Sequence, residues 1–134
     1  MASAFYTSGL EKILDGSIDV LVDTIKASLI DTGTYTFSAA HDFEDDLTGQ
    51  VGTDITINNK TATSGIFDTT DDSDTWSSVS GASVEAIVIY KDTGTPATSP
   101  LICYIDGFTA VTPNGGDITV DWDDGTTING IFQI

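Results

Sequence analysis

The spacing of apolar positions changes once along the chain. Up to residue 16 it is helical: Phe5, Leu10, Ile13 and Leu14 recur near a 3.6-residue period, and Asp15-Gly16 supplies a stop. The predicted helix has at most about three turns and is marginal alone, so it needs a surface to pack on. Beyond Gly16 the pattern is that of strands. Ile18 to Val22 is apolar with Asp19 interleaved. Thr24, Lys26 and Ser28 alternate with Ile25, Ala27 and Leu29, which predicts a half-buried strand. Shorter signals stand at Ile55-Thr56-Ile57, at Gly65-Ile66-Phe67 behind a Thr-rich Lys60–Ser64, and at Trp76–Val79. Val84–Tyr90 is almost wholly apolar, as in a central strand. Leu101–Ile105 mirrors it across a loop holding Gly94, Pro96 and Pro100, which predicts an antiparallel pair. Ile118–Trp122, Asp124-Gly125 and Thr126–Ile134 predict a closing hairpin, because Asp and Gly tolerate the positive φ its turn requires.

Many short strands separated by Gly, Asn and Asp turns predict an all-β fold, an antiparallel β-sandwich or barrel with a short N-terminal helix or arm. The expected division is a helix or arm over residues 1–16 and a single β-sandwich domain over residues 17–134. Residues 42–50 and 68–75 are acidic and polar and read as surface loops. The chain shows no internal repeat and no interdomain linker. At 134 residues, one domain buries roughly two-thirds of its unfolded surface and needs no disulfide or metal to stay folded.

Charge narrows the choice of partners. The chain has 21 Asp and Glu against 4 Lys and no Arg, for a net charge of -17. Lys12, Lys26, Lys60 and Lys91 are scattered, so they cannot build the basic face that nucleic acid or an anionic membrane requires. No apolar run reaches the roughly 20 residues that span a bilayer. Met1–Phe5 lacks the basic start of a signal peptide, and a lone Cys103 leaves no internal disulfide. Both features lead to an expectation of synthesis in a reducing cytoplasm.

Candidate chemistry is sparse. Ser28-Leu29-Ile30-Asp31-Thr32-Gly33 has the form of an aspartic-protease turn, and Asp92-Thr93-Gly94 is a second copy. Two such carboxylates within hydrogen-bond reach share a proton and activate water. Tyr90-Lys91 precedes the second copy where apolar residues are needed, and no glycine-rich flap is evident, so strand-end turn geometry is the favoured reading. Three acidic clusters (Asp42, Glu44, Asp45, Asp46; Asp68, Asp71, Asp72, Asp74; Asp121, Asp123, Asp124) offer hard oxygens suited to a structural Ca²⁺, although none fits an EF-hand loop. The alternative is a solvated acidic surface. No organic cofactor is expected, since no phosphate-binding glycine loop is present. His41 and Cys103 are single and cannot form a zinc site, and Cys103 reads as a buried thiol. Asn59-Lys60-Thr61 is a glycosylation sequon by pattern only. Trp76, Trp122, Tyr35, Tyr90 and Tyr104 would suit a sugar groove if exposed and core or interface anchors if buried.

Several of these segments carry a resemblance. Leu14-Asp15-Gly16-Ser17-Ile18-Asp19-Val20 and Asp23-Thr24-Ile25-Lys26 resemble the start of a family of small structural proteins of tailed bacteriophages. The similarity continues through Thr75-Trp76, Ile89–Thr95, Ala97–Ile102, Asn114–Val120 and Trp122, and so spans nearly the whole chain. Its motifs are turns and strands, not catalytic signatures. The resemblance implies a non-enzymatic virion component, best a capsid decoration (cement) protein on the outer head surface. Such a protein bridges neighbouring capsomers as a homotrimer bound to the major capsid protein. A tail- or neck-associated module that binds host carbohydrate is the second reading, and a retropepsin-like protease a distant third. Within the first reading, Phe5, Tyr6 and Leu10 on the N-terminal arm are the expected contacts to a neighbouring subunit or the shell.

Overall fold

The computed structural model describes residues 2–71, 73–122 and 130–134. In chain order its elements are β1 (Ala4–Phe5), α1 (Thr7–Leu14), β2 (Ile25–Ile30), β3 (Gln50–Thr56), β4 (Lys60–Thr63), β5 (Ile66–Thr69), β6 (Ser73–Trp76), β7 (Ala86–Lys91), β8 (Leu101–Ile105), β9 (Ile118–Asp121) and β10 (Phe132–Gln133). Among the described residues every strand pair is antiparallel and there is one short α-helix, so the protein is all-β with a short N-terminal helix. The main sheet runs β1-β8-β7-β2-β3, and two smaller sheets run β10-β5-β4 and β6-β9.

The solid apolar runs of β7 and β8 follow from burial on both faces. On one face Ala27, Leu29, Val51, Ile87, Ile89, Cys103 and Ile105 pack with Phe67, Trp76, Trp122 and Phe132 of the smaller sheets and their connections. On the other, Ile30, Ala86, Val88, Tyr90, Leu101 and Tyr104 pack under Tyr6, Tyr35 and Leu47. A strand covered on both sides cannot alternate apolar with polar. The predicted β7–β8 pair forms, with Ile89 opposite Cys103 and Tyr90 opposite Leu101. Ile102 is the extra residue between those pairs, a β-bulge that lets Ile102 and Cys103 both join the sandwich core. β2 departs from the half-buried strand its alternation predicts: Ser28 is also buried, and its Oγ accepts a 3.3 Å hydrogen bond from Gln50 Nε2.

The N-terminal segment is woven into this domain. β1 adds an edge strand to the main sheet, with Ala4 opposite Tyr104 and Phe5 opposite Cys103. The helix begins after Tyr6, so Phe5, expected in it, is in the strand. Gly9 sets how closely α1 lies on β8: a Cβ there would fall 2.1 Å from the Leu101 carbonyl oxygen. The helix ends at Asp15 and Gly16, whose φ of 83° favours glycine.

Other local readings change. Ile18–Val22 is a turn and not a strand, for reasons given below. Residues 68–75, expected as loop, contain the end of β5 and most of β6, and β6 stops at Trp76 where the signal was expected to begin. β6 escapes the apolar pattern because Asp74 and Thr75 carry half of it. The Asp124-Gly125 turn lies outside the described residues; among those described, β9 pairs with β6 and β10 with β5.

Gly9→Ala tests the helix–sheet contact. Alanine raises helix propensity by about 1 kcal/mol, but overpacking costs about 1–3 kcal/mol and a clash with backbone cannot relax easily. A net loss of stability in urea unfolding is expected; unchanged or increased stability would show that α1 does not rest on β8 through Gly9.

Candidate functional site

The two Asp-Thr-Gly segments are turns at the ends of strands. Asp31 Oδ1 accepts the Gly33 N–H at 2.9 Å and its Oδ2 accepts the Thr34 hydroxyl at 3.0 Å. Asp92 Oδ1 accepts the Gly94 N–H at 2.9 Å, while Oδ2 pairs with Lys26 Nζ at 3.0 Å. Asp31 follows β2 and Asp92 follows β7, and these strands are antiparallel neighbours with Ile25 opposite Lys91 and Ile30 opposite Ala86. The carboxylates therefore sit at opposite ends of the sheet, about 20 Å apart at the rise of a strand. One chain does not bring them together to share a proton.

The aromatic candidates are core residues: Trp76, Trp122, Tyr35, Tyr90 and Tyr104 are all buried, so they offer no stacking face to a sugar. His41 joins a chain of hydroxyls beneath the helix: Tyr6 Oη lies 2.9 Å from Tyr35 Oη, which lies 2.9 Å from His41 Nδ1. Burial, and next the Tyr35 hydroxyl, push the Tyr6 phenol far above its usual range. Burial likewise raises the Cys103 thiol, so it stays protonated and unreactive.

The acidic clusters divide. Among the described residues no group of three ligands is arranged to hold a metal, and Asp72, Asp123 and Asp124 lie outside them. In the first cluster Asp46 Oδ2 accepts the Asp42 N–H at 2.9 Å. In the second, Asp71 accepts from Asn59 Nδ2, and Asp74 accepts the Trp122 indole N–H at 2.8 Å. Glu44 also borders a polar hollow of about 500 Å³ with Lys26, Gln50, Asp54, Tyr90 and Asp92. There Tyr90 donates a 2.6 Å hydrogen bond to Asp54. Burial, then the Asp54 charge, raise the Glu44 carboxyl.

Among the described residues the most exposed large apolar groups are Leu14 at 83%, Val22 at 80% and Ile134 at 63%. Ile134 lines a shallow groove of about 160 Å³ together with Ile13, Val20, Ile66, Phe67 and Phe132. Leu14 follows Ile13, and Leu21 and Val22 follow Val20, so these exposed apolar residues adjoin the groove lining along the chain and, with Ile134, mark an apolar flank. A polar frame holds that flank out. Asp15 Oδ1 accepts the Ser17 N–H, Asp19 Oδ1 accepts those of Leu21 and Val22, and Asp23 Oδ2 accepts that of Asp19. Side-chain acceptors replace strand partners, so an apolar pentapeptide becomes a tight turn. Two lysines fasten it: Lys91 Nζ meets Asp23 Oδ2 at 3.0 Å and the Ser17 carbonyl at 2.9 Å, and Lys60 Nζ donates to the Asp23 carbonyl.

Of the predicted contact residues, Tyr6 is wholly buried in the chain's own core and presents no surface to a neighbour. Phe5 is half-buried and meets the Phe132 ring edge-on, with centroids 5.6 Å apart. Leu10 is half-buried on the helix. The arm packs on its own domain because β1 gains a hydrogen-bonded partner there and Tyr6 gains a core. The flank at Leu14, Val22 and Ile134 was missed; the available signal was the Asp19–Asp23 spacing, which marks a side-chain-bonded turn. Among the described residues no helix is long and apolar enough to cross a membrane. No protein-family model and no curated protein matches the chain.

The carboxylates predict a two-sided pH response. Burial works against the Asp23 charge, but the Asp19 N–H and the Lys91 ammonium more than offset it and lower its pKa. The Asp42 N–H lowers Asp46, and the Gly94 N–H and Lys26 lower Asp92. These groups stabilise the fold fully at neutral pH and lose that contribution as pH falls through the carboxylate range. Glu44 and Asp74 are raised by burial, so acidification first relieves a cost. The thermal midpoint should rise from pH 7 to about 5 and drop below about pH 4. A steady fall from pH 7 in a calorimetric series would contradict this balance.

Proposed function

We propose that this chain is a structural protein of a tailed-bacteriophage virion, a capsid decoration protein that bridges neighbouring capsomers as a homotrimer on the outer head surface and performs no catalysis. The apolar flank is the observation that carries this reading. On a domain of net charge -17, Leu14, Val22 and Ile134 stand out in water, and the turn bearing Val22 is fastened by two of only four lysines. Holding large apolar groups out in this way makes sense if a protein surface covers them, since fully burying one such side chain gains about 1.5–3 kcal/mol. The segment from Leu14 to Lys26, which bears Leu14 and Val22, is also among those that resemble small phage structural proteins. The doubly covered sheet suits a part that must resist outward strain, and the Arg-free acidic surface avoids packaged DNA.

The carbohydrate-binding alternative lacks exposed aromatic side chains among the described residues. Neck or tail placement keeps the same flank with a different partner.

Immunogold labelling of virions from the phage that carries the gene tests placement. Label over the head supports decoration; label at the neck or tail moves the assignment there; unlabelled virions with the protein free in the lysate defeat it. Val22→Glu should leave the thermal midpoint within about 1 °C, because the side chain is exposed, while reducing virion-bound protein at least tenfold. Full binding by that variant would remove the flank from the contact.

A further inference from the structure

The groove beside the flank ends at an open sheet edge. β4 is the last strand of its sheet, and among the described residues it pairs with β5 alone. Ser64 and Gly65, both with positive φ, turn the chain between these strands, with Thr63 opposite Ile66. A two-residue turn of this kind closes on a hydrogen-bonded pair, and bonded and non-bonded pairs alternate from there, so Ala62 and Phe67 form a non-bonded pair. The other side of β5 agrees: the Phe67 carbonyl accepts the Ile131 N–H at 2.9 Å, so it faces β10 and not Ala62. The Ala62 N–H and carbonyl therefore point out of the sheet, and among the described residues nothing pairs with them. Such edges are usually blunted by a charge or a proline. Here Thr61, Ala62 and Thr63 are neutral, and the Lys60 ammonium is drawn to the Asp23 carbonyl. Ala62 is exposed and lines the apolar groove with Ile13, Val20, Ile66 and Ile134.

We infer that β4 takes up an extended segment of another virion protein as an added strand, a segment whose apolar side chains alternate with neutral or basic ones. This rests on the reading of the flank as a surface covered by a virion partner. An open edge supplies main-chain donors and acceptors, and a neighbouring groove receives alternate side chains. The residue laid opposite Ala62 turns its side chain to the face that Ala62 shares with the groove. Charge selects the rest. Asp15 and Asp19 lie in the chain between the groove residues Ile13 and Val20, and both are exposed. Among the described residues neither has a lysine in ion-pair contact, since Lys60 and Lys91 are engaged at Asp23 and Lys26 at Asp92. A second copy would set a net charge of -17 against -17. A segment with lysine or arginine at its outward positions meets these carboxylates with opposite charge.

The test uses virions from a phage deleted for the gene, to which the purified full chain is added back. Ala62→Pro removes the outward N–H and breaks no bond within the sheet, since proline is tolerated where an edge N–H faces solvent. Its thermal midpoint should stay close to that of the unsubstituted chain, while virion-bound protein falls at least tenfold. Added salt should weaken binding of the unsubstituted chain. Hydrogen–deuterium exchange gives a readout that needs no variant: the Ala62 amide should exchange rapidly in the free chain and become protected on the virion. If the unsubstituted chain does not return to virions, the functional reading falls and this proposal with it. Three results would leave that reading standing and overturn this proposal alone: full binding by folded Ala62→Pro, an Ala62 amide that still exchanges rapidly on the virion, or binding indifferent to salt. An oligomer of the free chain that Ala62→Pro takes apart would make the occupant a second copy and overturn it as well.

Discussion

Burial of the main sheet on both faces is the constraint from which the rest of the structure follows. β7 and β8 carry almost no polar side chains, so each face needs a cover. The two small sheets supply one. The N-terminal helix and the loop carrying Tyr35 and Leu47 supply the other. This explains why so short a helix persists: it is held by Gly9 against β8 and by Tyr6 in the second core, not by its own propensity. It also explains the bulge at Ile102, which adjusts the alternation of β8 so that both cores are filled.

Positive charge is scarce, and the fold uses all of it internally. Lys26 pairs with Asp92, Lys91 with Asp23, and Lys60 caps the Asp23 carbonyl. Lys12 bonds Ser8 and lies over the Phe43 ring. Isolated surface ion pairs contribute little to stability. Here the role of the lysines is placement, since Lys60 and Lys91 fix the turn that exposes Leu21 and Val22 and Lys26 fixes the end of β7. The acidic remainder of the surface has no such assignment and discourages polyanionic partners.

The fold class was legible because two-face burial writes itself into sequence as an unbroken apolar run, and β7 and β8 show it. What stayed hidden depended on side chains acting as backbone partners. Ile18–Val22 has strand composition, but Asp19 and Asp23 satisfy its amides and close a turn. β6 looked like loop because its polar residues find partners that sequence does not name: Thr119 for Thr75 across the ribbon, and the Trp122 indole for Asp74. The surroundings of the expected contact residues were hidden for a related reason. Tyr6 and Leu10 were legible as apolar, but only the three-dimensional fold shows that the chain's own sheet claims Tyr6 while Leu14 and Val22 are left out in water.

The engagement of every lysine has a practical side. Amine-reactive dyes and cross-linkers, the usual handles for attaching a probe to a protein, have only these four side-chain amines to attack. Acylating Lys60 or Lys91 removes a clamp from the Asp23 turn, and each acylation removes one of the four lysine charges. A label placed this way would loosen the surface it was meant to report on. Cys103, sealed in the core, offers no substitute handle.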